Sequence, residues 1–98
     1  MTSATARHLI VTGVVQGVSF RDALCHQATA ANIDGWVRNR RDGSVEAVLR
    51  GEANAVAAVI EWARRGPPAA IVSAVVQREP SASELQSVTS GFLFLPTV

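Results

Sequence analysis

The 98-residue chain has few of the residues that form covalent cross-links or stack on nucleic-acid bases. Its one cysteine, Cys25, cannot form an intramolecular disulfide, which is typical of proteins from a reducing compartment. Its aromatic residues are three phenylalanines and two tryptophans, and none lies in the first predicted strand, where an RNA-binding sheet would stack bases. The net charge of +1 also disfavours a strongly basic nucleic-acid binder. We therefore expect no nucleic-acid partner.

Long apolar segments are missing as well. No apolar run approaches the ~20 residues that a helix needs to cross a bilayer, and residues 1–8 lack the apolar core of a signal peptide. Hydrophobic residues nevertheless form 48% of the chain and charged residues 17%, which favours a packed core over intrinsic disorder. We expect a cytoplasmic protein without a membrane partner, with a disordered N-terminus at residues 1–7 and a single domain at residues 8–98.

Hydrophobic periodicity divides the chain into helices and strands. Short apolar runs between turn residues predict strands at residues 8–14, 35–39, 44–50, 70–77 and 91–96. Apolar residues at helical spacing predict helices at residues 20–31 and 54–65, whereas the polar residues 78–90 are predicted to form a surface loop. This order is typical of the ferredoxin-like fold, an α+β sandwich whose antiparallel sheet carries both helices on one face.

Local signals predict where the elements begin and end. Ser19 followed by Asp22 resembles a capping box that would start the first helix. Asn32 suits the left-handed conformation that commonly ends a helix. The dipeptide Asp42-Gly43 supplies the positive dihedral angles of a tight hairpin turn between the second and third strands.

The segment between the first strand and the first helix has the composition of an anion-binding loop. Gly13 and Gly17 allow successive backbone N–H groups to point into one concavity, where the helix start adds about half a positive charge. Arg21 opposes the helix dipole, which is understandable if an anion bridges its guanidinium and the backbone donors. Glycine-rich turns before helices are common, however, and a merely solvated Arg21 would fit the same spacing.

Four segments carry a resemblance to a known family. They are residues 15–21 (VQGVSFR), 35–39 (GWVRN), 42–46 (DGSVE) with Gly51, and 66–70 (GPPAA). In order and spacing they resemble the motifs of the acylphosphatase family, and the likeness runs from about residue 8 to residue 96. It implies a ferredoxin-like fold and hydrolysis of the carboxyl–phosphate bond of small-molecule acyl phosphates. The chain departs from the family pattern at Val14 and Asn32, and Ser19 occupies a variable position.

The resemblance also implies roles for individual residues. Arg21, which closes the loop motif, would bind the phosphate, and Asn39, which closes the strand motif, would orient the attacking water. Further donors would come from the main chain of Gln16, Gly17, Val18, Ser19 and Phe20. The leaving carboxylate has a pKa near ~4 and departs without a proton, so neither a general acid nor a metal or other cofactor is needed.

Other readings of the sequence remain open. A regulatory module could keep the anion site without turnover, and a similar module begins longer carbamoyl-transferring maturation proteins that continue into cysteine-rich zinc-binding segments. Cys25 and His26 are adjacent on a helix and point in different directions, while His8 has no nearby partner, so we expect none of the three to bind a metal. The last strand could shield a sheet edge or pair with another chain; we expect a monomer.

Overall fold

Alternating strands and helices build one five-stranded sheet in the computed structural model, which describes residues 3–98. The elements are β1 (Ala4–Val14), α1 (Phe20–Ala30), β2 (Asp34–Asn39), β3 (Val45–Glu52), α2 (Ala53–Ala63), β4 (Ile71–Arg78), α3 (Ala82–Gln86) and β5 (Phe92–Phe94). The strand order is β4-β1-β3-β2-β5, with β5 parallel to β2 and the other neighbours antiparallel. The predicted ferredoxin-like α+β fold is confirmed, although β5 makes the sheet mixed rather than purely antiparallel.

The two long helices bury their apolar stripes on one face of the sheet. α1 buries residues spaced four apart, namely Phe20, Leu24 and Ala28, and α2 buries Val56, Val59, Ile60 and Ala63. They pack on strand residues that alternate toward this face, including Leu9, Val11, Val37, Ala47 and Leu49. Asn32 has a φ of 57°, as predicted, so the chain turns back and Ile33 joins the same core.

The first strand begins earlier than predicted. Ala4 pairs with Glu52 of β3, and the Ala53 N–H donates to the Ser3 carbonyl over 2.7 Å. The prediction of disorder was therefore wrong for residues 4–7, because the long β3 strand offers them backbone partners that the local sequence does not reveal. Met1 and Thr2 lie outside the described residues.

The segment predicted as a loop contains the short helix α3. Its cap is reciprocal, since Ser81 Oγ accepts from the Glu84 N–H over 3.2 Å and a Glu84 carboxylate oxygen accepts from the Ser81 N–H over 2.8 Å. The capping box predicted at Ser19 and Asp22 was wrong. Ser19 has a left-handed φ of 63° and makes no side-chain cap, whereas a capping side chain needs an extended backbone.

α3 covers the second face of the sheet through an apolar cluster and a network of charges. Trp36 and Val48 are buried with Val88, and the Trp36 indole donates to the Glu84 carbonyl over 2.9 Å. The charge cluster comprises Arg38, Glu46, His8, Glu84 and Arg78. Within it the shortest contact is 2.6 Å, between Nε2 of buried His8 and Oε2 of Glu46. The prediction that His8 lacks a partner was wrong, because its partners lie far away in the sequence.

Lowering the pH should destabilise this packing through Glu84. Hydrogen bonds from Arg78 lower the pKa of Glu84 to about 2, against an ordinary value of 4.5. A folded pKa below the unfolded one stabilises the protein above the ordinary value, and this contribution is lost as the pH falls toward 2. Because the pair is partly exposed to solvent, we expect Glu84→Gln to lower the free energy of unfolding at neutral pH by about 1 kcal/mol.

Urea unfolding of both forms across this acidic range measures the effect. The matched control is Glu79→Gln, which removes an exposed carboxylate that makes no side-chain hydrogen bond among residues 3–98. Equal pH dependence of the unfolding free energy in wild type and Glu84→Gln would contradict the assigned role.

Candidate active site

The chain makes a sharp turn where β1 passes into α1. The pairing of β1 with β4 shifts register between Thr12 and Gly13, and Gly13 has a φ of 121°. A Cβ at Gly13 would lie 2.1 Å from the Ile71 carbonyl oxygen, so only glycine permits this close approach of the two backbones. The bulge directs the following residues across the end of the sheet.

Residues 15–19, the cradle loop, then lead directly into α1. Gly17 and Ser19 have left-handed φ angles of 74° and 63°, a conformation that turns successive backbone N–H groups toward one side. The first N–H groups of α1, from Phe20 onward, have no intrahelical acceptor and carry the positive end of the helix dipole. The cradle loop and the helix start together form a concave surface suited to an anion.

A hairpin turn at residues 40–43 stands opposite the cradle loop. The Arg40 N–H donates to the Ser44 carbonyl over 2.9 Å, and the Gly43 N–H donates to the Arg40 carbonyl. Gly43 has the predicted positive φ, 92°, but Asp42 does not, because the loop between Asn39 and Val45 is longer than a two-residue turn. A carboxylate oxygen of Asp42 accepts from the Ser44 hydroxyl and backbone N–H, and these two bonds lower the pKa of Asp42. The turn therefore fixes the end of β2, where Asn39 lies.

The side chain of Gln16 joins the cradle loop to the hairpin turn. Its Nε2 donates to the Arg40 carbonyl over 2.7 Å and to the Ser44 carbonyl over 2.8 Å. Both amide hydrogens are thus used within the protein. Sequence reasoning assigned only the main chain of Gln16 to the site and missed this contact, because it depends on how two distant turns meet.

A cavity of about 250 Å³ lies between these segments. It is lined by Val15, Gln16, Gly17, Ser19, Phe20, Arg21, Asp22 and Asn39. The structure therefore brings both predicted catalytic residues together with four of the five predicted loop residues. The exception is Val18, which does not line the cavity and packs against the core beneath it. Val15 and Asp22 were not assigned to the site by sequence reasoning.

The two principal polar side chains in the cavity are left free by the protein. Oδ1 of Asn39 is buried and has no hydrogen-bond partner among residues 3–98. A buried acceptor without a partner costs about 1–3 kcal/mol, a cost that a bound water or ligand would remove. Arg21 is half-buried, and its guanidinium makes no hydrogen bond or salt bridge within the same residues. The arrangement can bind a tetrahedral anion.

One cluster in the described part of the chain has the composition of a metal site. Single ligand atoms of His8, Glu46 and Glu84 lie within 4.8 Å of one another on the second face of the sheet. Arg38 and Arg78 already pair with the two carboxylates. Burial disfavours the charged form of Glu46, but hydrogen bonds from His8 and Arg38 outweigh burial and lower its pKa. A divalent cation would add uncompensated charge to this buried network, so its charge balance disfavours a metal.

Fold and cavity together define a small ferredoxin-like domain with an anion site at the start of its first helix. The acylphosphatase family model matches residues 7–92, and the chain belongs to this family, whose members act on small-molecule acyl phosphates. An acylphosphatase from Thiobacillus denitrificans is 49% identical over 85 residues, which cover 87% of this chain and 90% of that relative. The predicted family and enzyme class are thereby confirmed.

Solved structures show the same likeness. The structure of an acylphosphatase from Coxiella burnetii superposes with a TM-score of 0.84 at 36% identity, covering 94% of this chain and 93% of that one. Full-length HypF in a phosphate- and nucleotide-bound form matches with a TM-score of 0.83 at 25% identity, but this chain covers only 12% of its length.

Within residues 3–98, none of the helices has the length and apolar character needed to span a bilayer.

Removing the Gln16 side chain should loosen the contact between the cradle loop and the hairpin turn. Gln16→Ala loses two hydrogen bonds, so we expect the free energy of unfolding to fall by about 1–2 kcal/mol in urea denaturation. Gln77→Ala is the control, since its exposed amide accepts one hydrogen bond from Arg7. A Gln16 variant as stable as the Gln77 variant would show that the contact contributes nothing.

Proposed function

We propose that the cavity binds the phosphoryl group of an acyl phosphate and hydrolyses its carboxyl–phosphate bond. The observation that carries the proposal is the convergence of Arg21 and Asn39 on one cavity beside the cradle loop. These residues supply the two needs of phosphoryl transfer, which are stabilisation of charge on the phosphoryl oxygens and correct placement of the nucleophile.

The phosphate is held by Arg21 and by backbone donors of the predicted loop residues that line the cavity, Gln16, Gly17, Ser19 and Phe20. The planar guanidinium of Arg21 can donate two parallel hydrogen bonds to a phosphate, which a lysine ammonium cannot reproduce. Arg21 makes no ion pair with the part of the chain that the structure describes, which supports this role because a neighbouring carboxylate would compete with the substrate. The left-handed residues of the cradle loop support the contribution of backbone N–H groups.

The attacking water is positioned by Asn39. A side-chain amide can both donate and accept a hydrogen bond, so it can fix a water molecule, but it cannot remove a proton. The water oxygen forms a bond to phosphorus while the bond from phosphorus to the acyl oxygen breaks. The electron pair of that bond leaves with the carboxylate, and a phosphate oxygen of the substrate takes the water proton. This leaving group needs no general acid, since its pKa is near ~4.

We further propose that the protein acts as a cytoplasmic monomer without a metal, a cofactor or a nucleic-acid partner. The single free thiol, Cys25, supports a reducing compartment. The basic residues Arg40 and Arg41 of the hairpin turn carry positive charge beside the cavity and would attract an anionic substrate.

A non-catalytic anion-binding module is the alternative function. Hydrolysis of an acyl phosphate by the wild-type protein decides between the two functions.

Replacing Asn39 should separate binding from turnover. If Asn39 orients the water, Asn39→Ala will lower kcat for benzoyl phosphate on the order of 100-fold, while competitive inhibition by inorganic phosphate stays nearly unchanged. The control is Asn54→Ala, because Asn54 is exposed on α2 outside the cavity. Near-wild-type turnover in Asn39→Ala would rule out the water-positioning role.

Replacing Arg21 should impair both binding and turnover. Arg21→Lys keeps the charge but loses the bidentate geometry, so we expect the inhibition constant for phosphate to rise about 10-fold or more and kcat to fall. Arg65→Lys provides the matched exchange at an exposed position outside the cavity. Unchanged inhibition by phosphate in Arg21→Lys would exclude Arg21 from the phosphate site.

A further inference from the structure

Phe94 lies beside the candidate active site and has no role in the proposed reaction. Its ring centroid is 5.8 Å from Cζ of Arg21, within the roughly 6 Å range of a cation–π contact. Phe94 is 46% exposed, so burial in the core does not account for an aromatic residue at this position. Among residues 3–98, the Arg21 guanidinium makes no hydrogen bond and no ion pair, and the Phe94 ring is the group that contacts it.

The register of β5 places this ring on the helix-bearing face of the sheet. Phe94 pairs with Val37 and Phe92 with Gly35, so both phenylalanines point to the same side as buried Val37. Phe92 packs against the main core beside the helices. Phe94 continues that row one step further along the sheet, where the ring lies against Arg21 at the start of α1.

Residues 95–98, the C-terminal segment, keep β5 in this register. The Leu95 N–H donates to the Val37 carbonyl over 2.9 Å, and the Val98 N–H donates to the Asn39 carbonyl over 3.2 Å. The Arg41 N–H donates to the Val98 carbonyl over 2.7 Å. The segment that carries Phe94 is thus hydrogen-bonded to β2 up to Asn39, so Phe94 and Asn39 lie on neighbouring, bonded backbones.

We propose that Phe94 is a positioning residue that holds the Arg21 guanidinium over the cavity through its ring face; this inference rests on the proposed function. A ring attracts the cation without accepting its N–H groups, so all five donors remain available to the phosphoryl oxygens. A carboxylate in the same place would orient the arginine equally well but would neutralise its charge. Arg38 provides the contrast, since it lies over Trp36 and also pairs with Glu46.

The proposal predicts a loss of phosphate affinity that an aromatic replacement prevents. Phe94→Leu should raise the Kd for inorganic phosphate about 2- to 5-fold, the range of an exposed cation–π contact. It should raise KM for acetyl phosphate and benzoyl phosphate by the same factor, because both substrates present the same phosphoryl group. Phe94→Tyr should keep wild-type values, and Leu93→Ala, on the opposite face of β5, controls for damage to the strand.

The outcomes separate the inference from the proposed function. Unchanged phosphate affinity in Phe94→Leu, with wild-type turnover intact, would overturn the inference alone. A rise of KM confined to benzoyl phosphate would also overturn it, because the ring would then pack against the acyl group. Equal losses in Phe94→Leu and Phe94→Tyr would indicate a purely structural role and would count against it too. Wild-type protein inactive on both substrates would overturn the proposed function itself.

Discussion

Two hydrogen bonds from the Gln16 side chain are the constraint on which the rest of the site depends. Arg21 and Asn39 lie on different elements, one at the start of a helix and the other at the end of a strand. The two side chains can act on one substrate only if the cradle loop and the hairpin turn that lead to them stay in contact. Gln16 provides that link by binding the carbonyls of the hairpin turn. Because the link is neutral, it leaves the positive charge of the cavity to the ligand.

Among the residues that the structure describes, arginine side chains are paired with carboxylates on the second face of the sheet but not at the cavity. On the second face, Arg38 and Arg78 are paired with Glu46 and Glu84, and this network fastens α3 to the sheet. At the cavity, Arg21 is instead accompanied by an aromatic ring and by backbone donors. Binding an anion to Arg21 costs less free energy than binding it to a paired arginine, because no internal salt bridge has to break. The paired arginines therefore stabilise the fold, whereas Arg21 stays available to bind an anion.

Local patterns in the sequence were sufficient where structure depends on near neighbours. Periodicity located α1 and α2, whereas Arg21 and Asn39 were indicated as members of one site by the resemblance to acylphosphatase motifs and not by local pattern. Apart from the capping box at Ser19, which the left-handed backbone of that residue prevents, the failures concern contacts between distant segments. The Ser81–Glu84 pair matches the sequence pattern of a capping box. A helix of five residues is not stable alone, however, and α3 is held against the sheet by the hydrogen bond from the Trp36 indole. The contacts of His8 with Glu46 and of Gln16 with the hairpin turn likewise form only once the sheet has assembled.

The central claim is that the cradle loop, Arg21 and Asn39 form one phosphate site. Titration of isotope-labelled protein with inorganic phosphate, followed by NMR, tests it most directly. We expect the largest shifts on the backbone amides of Gln16, Gly17, Ser19 and Phe20 and on the side-chain signals of Arg21 and Asn39, all with the same affinity. Shifts centred on the second face of the sheet, or an Asn39 side chain that does not respond, would contradict it.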